Sequence, residues 1–317
     1  MTMSAVALIS VQVGAMVLLA PVITGVMRQV RARMEGRAGA GIWQPWRDLR
    51  KQFRKEPLSA ATTSWMSWVG PVVLMTTGLA LCALVPLVGT VTLPLIPDDL
   101  FVVVGLLLLG TVALALVGLD AGTAFGGMGS SRHMTIAALV EPTVLLAVYA
   151  LSVPVGTSLL SGIVTSRADN PTAIWSPVSV LAVAALAIAV IAEAGRLPVD
   201  NPATHLELTM VHEAMVLETS GRDLAWLELG SQLRLAALLG LLAALVAPFG
   251  LAAQVTVPLL ALGVVSLAVK VLLLAAALAA AEVFVAKLRL FRVPELLAGS
   301  FTLALVAVTA SYWVVTA

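Results

Sequence analysis

The sequence predicts an all-α, polytopic membrane bundle, and three observations carry that reading. Hydrophobic residues make up 60% of the 317-residue chain and charged residues 11%, at a mean hydropathy of +1.05. Several apolar runs approach or exceed the ~20 residues that cross a bilayer. These runs are unbroken Leu, Val and Ala tracts rather than alternating ones. Hydrocarbon satisfies no free backbone polar group, so such spans are helices rather than barrel strands.

The runs lie at about 4–27, 65–89, 100–119, 135–160, 177–193, 232–250, 255–282 and 296–316, eight spans within one domain over residues 1–317. The first run has no basic residue ahead of it and no evident small-residue cleavage site, so it reads as a retained helix rather than a removed signal. An even number of spans puts both termini on one side. Basic residues then orient the bundle. Arg28 to Lys55 after the first span, Arg132, Arg196 and Arg222, and Lys287, Arg289 and Arg292 fall in alternate loops, which are therefore cytoplasmic. The opposite loops contribute only Arg167 beside acids such as Asp98, Asp99 and Asp169, so the termini face outward.

After the first span, Trp43, Gln44, Pro45 and Trp46 open an Arg/Lys-rich amphipathic segment that includes Arg47 and Asp48. It suits a helix on the cytoplasmic leaflet, where each basic residue near anionic lipid contributes ~1 kcal/mol. Nucleic-acid binding is disfavoured because spans bracket the segment. The second span holds Cys82, the only cysteine. One thiol cannot ligate an iron-sulfur cluster or form an internal disulfide. His133, His205 and His212 sit in or beside loops, not as paired ligands of a membrane haem. Any redox centre therefore belongs to a partner.

The third span ends at Asp120, and the glycines at 118, 122, 126, 127 and 129 follow no strand, so they permit a tight loop rather than bind a dinucleotide. In the fourth span Glu141 precedes Pro142, whose missing N–H opens the helical ladder to water and offers a proton path. Asp120 and Glu193 stand at cytoplasmic span ends, where capping and proton transfer are both open readings, as they are for Glu282.

The stretch from Glu193 to Leu224 concentrates charge in a chain that otherwise avoids it. Asn201 as N-cap, Pro202 at the first position and Gly221 at the end predict a helix over 202–220. On that helix Glu207 and Glu218 nearly eclipse, and His205 and His212 share the opposite face. The plain alternative is a solvated amphipathic helix. No metal site is expected. His212 and Glu213 begin like a zinc-protease helix, but Val216 occupies the second histidine's position. In the seventh span Lys270 falls ~16 Å deep, where an isolated ammonium costs ~2.5–3.5 kcal/mol, so it is expected to face a carboxylate or water, as an ion-path group or a structural ion pair.

The run "AEAGRLPVDNPATHLELTMVHEAMVLETSGRDLA", with "GLDAGTAFGGMGSSRHMTIAALVEP" and "GRAGAGIWQPWRDLRKQFRKEP", resembles the cytoplasmic segments of the subunit 1 (H) family of respiratory complex I. Within that family it is similar to the formate hydrogenlyase subunit 4 and hydrogenase-4 component C branch. The resemblance covers essentially the whole chain and the eight-span topology. It implies a non-catalytic subunit of a bacterial or archaeal cell (inner) membrane. Such a subunit docks a peripheral arm of hydrogenase-like large and small subunits and an iron-sulfur subunit, which hold iron-sulfur clusters and a nickel-iron centre, against antiporter-like membrane subunits. Ion translocation is then expected at Lys270, Glu141, Asp120, Glu193 and Glu282, and docking at Arg196, Asp200, Glu207, Glu218, Arg222, Arg47 and Asp48. The family's Glu, Arg, Pro and Asp pattern stands at Glu193, Arg196, Pro198 and Asp200. The Glu207 to Glu218 spacing is about one turn longer than in the quinone-reducing members, a departure that argues against a quinone site. A quinone-site subunit of a complex-I-like dehydrogenase is the first alternative and would need a long apolar chamber beside the first span. A standalone secondary transporter is the other and would need repeated halves with paired broken helices, which the sequence lacks.

Overall fold

The computed structural model describes residues 2–90, 97–200, 210–252, 254–289 and 292–316. In chain order its helices are α1 (Thr2–Met34), α2 (Gln44–Phe53), α3 (Met66–Leu84), α4 (Leu100–Asp120), α5 (Ala124–Ser152), α6 (Leu160–Asp169), α7 (Pro177–Glu193), α8 (His212–Val216), α9 (Gly221–Val246), α10 (Val257–Phe284) and α11 (Val293–Thr316). No named strand occurs among the described residues. Among the described residues, seven helices are long and apolar enough to cross a membrane. The remaining expected span, the fifth, is α7 with 17 residues, which at ~1.5 Å each falls somewhat short of a ~30 Å hydrocarbon core.

The chain reverses at each turn, so its loops collect at two ends. At one end Leu100 N–H donates to Ser158 O (3.1 Å), Leu160 N–H to Asp98 O (2.9 Å) and Ala252 N–H to Val88 O (2.8 Å). The same end uses the buried Gln12 of α1, whose amide donates to Cys82 O and Val85 O (both 2.8 Å) and accepts from Val88 N–H (3.0 Å). That amide satisfies carbonyls orphaned where α3 stops. At the other, basic end Ser220 Oγ accepts from Leu58 N–H (2.8 Å), Thr62 Oγ1 donates to Ala121 O (3.1 Å), and Leu288 N–H donates to Pro198 O (3.0 Å).

Helix α9 is the pillar of the bundle. Its most apolar window is 89% buried, against 22% for α10. A helix apolar around its whole circumference has no wet face to spare and goes to the centre. It packs on α3 and α1, with α10, α2 and α7 around it, while α11 lies on α5 and α7. At the basic end α2 buries Pro45 and Leu49 and sets Phe53 edge-on against Trp226, ring centroids 5.0 Å apart. Its Arg47, Arg50 and Lys51, and Arg54 and Lys55 just beyond it, stay exposed.

Three sequence expectations are corrected. Of the predicted helix over 202–220, the described part holds only α8, and His205 and Glu207 lie outside the described residues. Gly221 opens α9 instead of closing that helix: its φ is +56° and the backbone of Glu56 and Pro57 occupies the place of a side chain. The sixth span therefore starts eleven residues earlier than the predicted 232. The glycine segment is not one loop either. Only Gly122, at φ +66°, sits in the turn, whereas Gly126, Gly127 and Gly129 belong to α5, which begins at Ala124 behind the capping Thr123.

Candidate functional site

Where α9 passes α4 and α7, a cation is held inside the span. The Arg234 side chain is buried, and its Nη2 donates to Leu107 O (2.8 Å), to Thr111 Oγ1 and to Glu193 Oε1. Thr111 in turn donates to Leu107 O (2.9 Å). Gly110 makes the approach possible, because a Cβ there would stand 3.0 Å from an Arg234 nitrogen. The Glu193 side chain, at the end of α7, is only 2% exposed and that of Arg234 9%, so the pair is largely desolvated and each partner compensates the other's charge.

Glu141 of α5, 7% exposed, stands within electrostatic reach of Arg234 and beside Thr111. Its Oε1 has no hydrogen-bond partner among the described residues, and neither has Arg234 Nε, Gln232 Oε1 or His133 Nε2. Buried polar atoms of this kind take water where the space is polar and large enough. A cavity of about 170 Å³ gives that room beside His133, Gln232 and Arg234, in a mixed polar and apolar wall that also includes Arg28, Glu193, Arg196 and His212. Pro142 leaves α5 continuous, and Ala138, whose carbonyl loses its helical partner, lies on an exposed face.

The loop after α7 closes this cavity from the basic end. Arg196 Nη1 comes within 4.0 Å of Glu282 Oε1, and Arg31 Nη1 within 3.9 Å of Glu282 Oε2. Burial pulls the Arg196 guanidinium below its ordinary range, while Glu282 works in the opposite direction. Asp200 is buried, receives Lys287 Nζ at 2.8 Å and accepts His212 N–H at 3.2 Å. Arg132 donates to Met210 O at 3.0 Å and so holds the loop against α5. The His212 imidazole is held below its usual range, chiefly by burial, against the opposing pull of Glu213 and Asp200.

The structure thus brings Glu141, Glu193 and Arg234 together, with Glu282 linked to them through Arg196 and the cavity. Asp120 lies apart: it accepts Ser64 N–H at 2.9 Å and Ser64 Oγ–H, tying the loop ahead of α3. Lys270 lies apart as well. Its Nζ faces no carboxylate among the described residues but donates to Ala247 O (2.7 Å) and Phe249 O, just past the C-terminus of α9, where a cation complements the helix dipole. Of the expected docking residues, Arg196 and Asp200 point inward. Arg47, Glu218 and Arg222 are exposed, and Asp48 is bonded to Gln44 (2.8 Å) with Arg28 at 3.7 Å. Sequence reasoning missed Arg234 and its partner Thr111, although an arginine two residues inside the predicted sixth span carries the signal that singled out Lys270.

A family model described as NADH dehydrogenase matches residues 6–312. This chain belongs to that family. It is 34% identical over 294 residues to hydrogenase-4 component C of Escherichia coli (strain K12), covering 92% of this chain and 91% of that protein. It is 30% identical over 290 residues to formate hydrogenlyase subunit 4 of the same organism, covering 91% and 92%. Its fold is that of a chain in the structure of the membrane-bound sulfane sulfur reductase, an archaeal respiratory membrane complex, with a TM-score of 0.81 at 18% identity over 97% of this chain and 99% of that one. Within this family the chain is a multi-pass membrane protein.

Proposed function

We propose that this chain is the membrane anchor and coupling subunit of a respiratory-type hydrogenase or formate hydrogenlyase complex. The supporting observation is the run of charge from Glu282 through Arg196 to the cavity that Arg196, Glu193 and Arg234 line, with Glu141 within electrostatic reach of Arg234. It connects the basic end of the bundle to its interior. A peripheral arm with large, small and iron-sulfur subunits rests on the basic, cytoplasmic end through Arg47, Glu218 and Arg222, and holds the iron-sulfur clusters and nickel-iron centre. Antiporter-like subunits receive the coupled proton or sodium ion from the interior. The termini lie outside.

The charged groups in the cavity wall and the cavity's volume of about 170 Å³ favour this reading over a quinone chamber, because a quinone tail needs a long apolar slot and charged groups would be stranded against it. Mass spectrometry of the natively purified assembly tests the proposal. Iron-sulfur and nickel-iron-type subunits are expected in stoichiometric amount, and recovery of the chain alone, as a transporter, would overturn it.

A further inference from the structure

At the end of the bundle opposite the basic loops, a pocket of about 610 Å³ opens between α5, α6, α7 and α11. Its walls are largely apolar, including Leu151, Val155, Val178, Ala310 and Trp313, with Ser166 and Asn170 at the rim. Arg167 of α6 lines it, although the residue is 5% exposed. Arg167 Nε donates to Leu245 O and Nη2 to Ser179 Oγ, each at 2.8 Å. A guanidinium has five N–H donors, so after these two bonds three remain without an acceptor among the described residues. No ion pair of Arg167 occurs among the described residues either.

In the segments that join the spans at this end Arg167 is the one cation in the sequence, and Lys270 of α10 is the other cation that reaches the C-terminus of α9. The desolvation of Arg167 without a carboxylate is costly unless an anion compensates it. A planar guanidinium fits a phosphate in a bidentate manner. The volume lies in the range of small-molecule sites, and one charged group at the head of an apolar slot is the complement of an amphiphile. Trp313, exposed near the end of α11, stands at the depth where aromatic side chains meet lipid headgroups.

We propose that this pocket seats one anionic phospholipid, its phosphate on Arg167 and its acyl chains along α5, α7 and α11. The lipid supplies the anion for the guanidinium that binds the Leu245 carbonyl near the C-terminus of α9.

Native mass spectrometry of the full chain, purified from membranes and offered equimolar phosphatidylglycerol and phosphatidylcholine, tests this. One retained phosphatidylglycerol per chain is expected, preferred by about tenfold. Ala310→Phe fills the slot without touching Arg167 and is expected to lose that lipid while the chain stays folded. Arg167→Gln is expected to abolish the preference between headgroups. Retention of the same lipid in both variants at the parental level would overturn the proposal. So would displacement of the lipid by inorganic phosphate alone, or occupation of the slot by an isoprenoid quinone or a partner helix.

Discussion

Arg234 is the residue on which the interior cluster turns, since one guanidinium compensates Glu193, stands beside Glu141 and satisfies the Leu107 carbonyl. Such a pair adds little net stability, because desolvation offsets its attraction. Removing either partner leaves the other's charge buried and uncompensated, which is where such a pair costs most. His212 lies at the basic end. Burial favours its neutral ring, so its folded-state pKa lies below the ordinary 6.5 while Glu213 and Asp200 resist and Arg196 assists. Between the two values the opened loop binds a proton that the closed loop refuses, so closure is stable above pH 6.5 and weakens as pH falls below it. Hydrogen-exchange protection at residues 210–216, taken relative to the intrinsic exchange rate at each pH, is expected to fall between pH 7.5 and 5.5, and His212→Gln to remove that fall. An equal loss of protection in the variant would show that another group controls the loop.

The turn between α4 and α5 shows how an element's packing depends on a missing side chain. A Cβ on Gly126 would fall inside the Gly118 carbonyl, whereas one on Gly127 would meet nothing within 4 Å. Gly126→Ala is therefore expected to cost ~1–3 kcal/mol, and Gly127→Ala to be neutral or stabilising by up to ~1 kcal/mol. Thermal unfolding of the two variants in detergent checks the difference, and equal midpoints would contradict the packing. Glycine is also where the sequence misleads. Gly221 carries the same signal whether it ends one helix or begins the next, and what decides is the Glu56 backbone lying against it, a contact 165 positions away. Likewise, "GRDLAWLELGSQLR" resembles a loop by its charge, yet α9 runs through it because Glu228 accepts Gln52 (2.8 Å) and Arg234 finds Glu193.

Across the whole molecule, the eight apolar runs were legible because bilayer thickness is written directly into run length, and α7 matches its expected bounds of 177–193. The site was legible in part. Glu141, Glu193 and Glu282 are conspicuous as acids in apolar surroundings, but their association depends on α4, α5, α7 and α9 meeting, which no local pattern encodes. Lys270 was conspicuous for the same reason, and its binding to the end of α9 depends on a loop folding back along α10. The central claim is that buried charge at Glu141, Arg234 and Glu193 couples the basic end to ion movement. The most direct measurement is the ion-to-electron ratio of the reconstituted complex carrying Glu141→Gln, which keeps the side chain's shape and removes its charge. Electron transfer to an artificial acceptor at the parental rate with loss of the ion gradient is predicted, and pumping at the parental ratio would contradict the account.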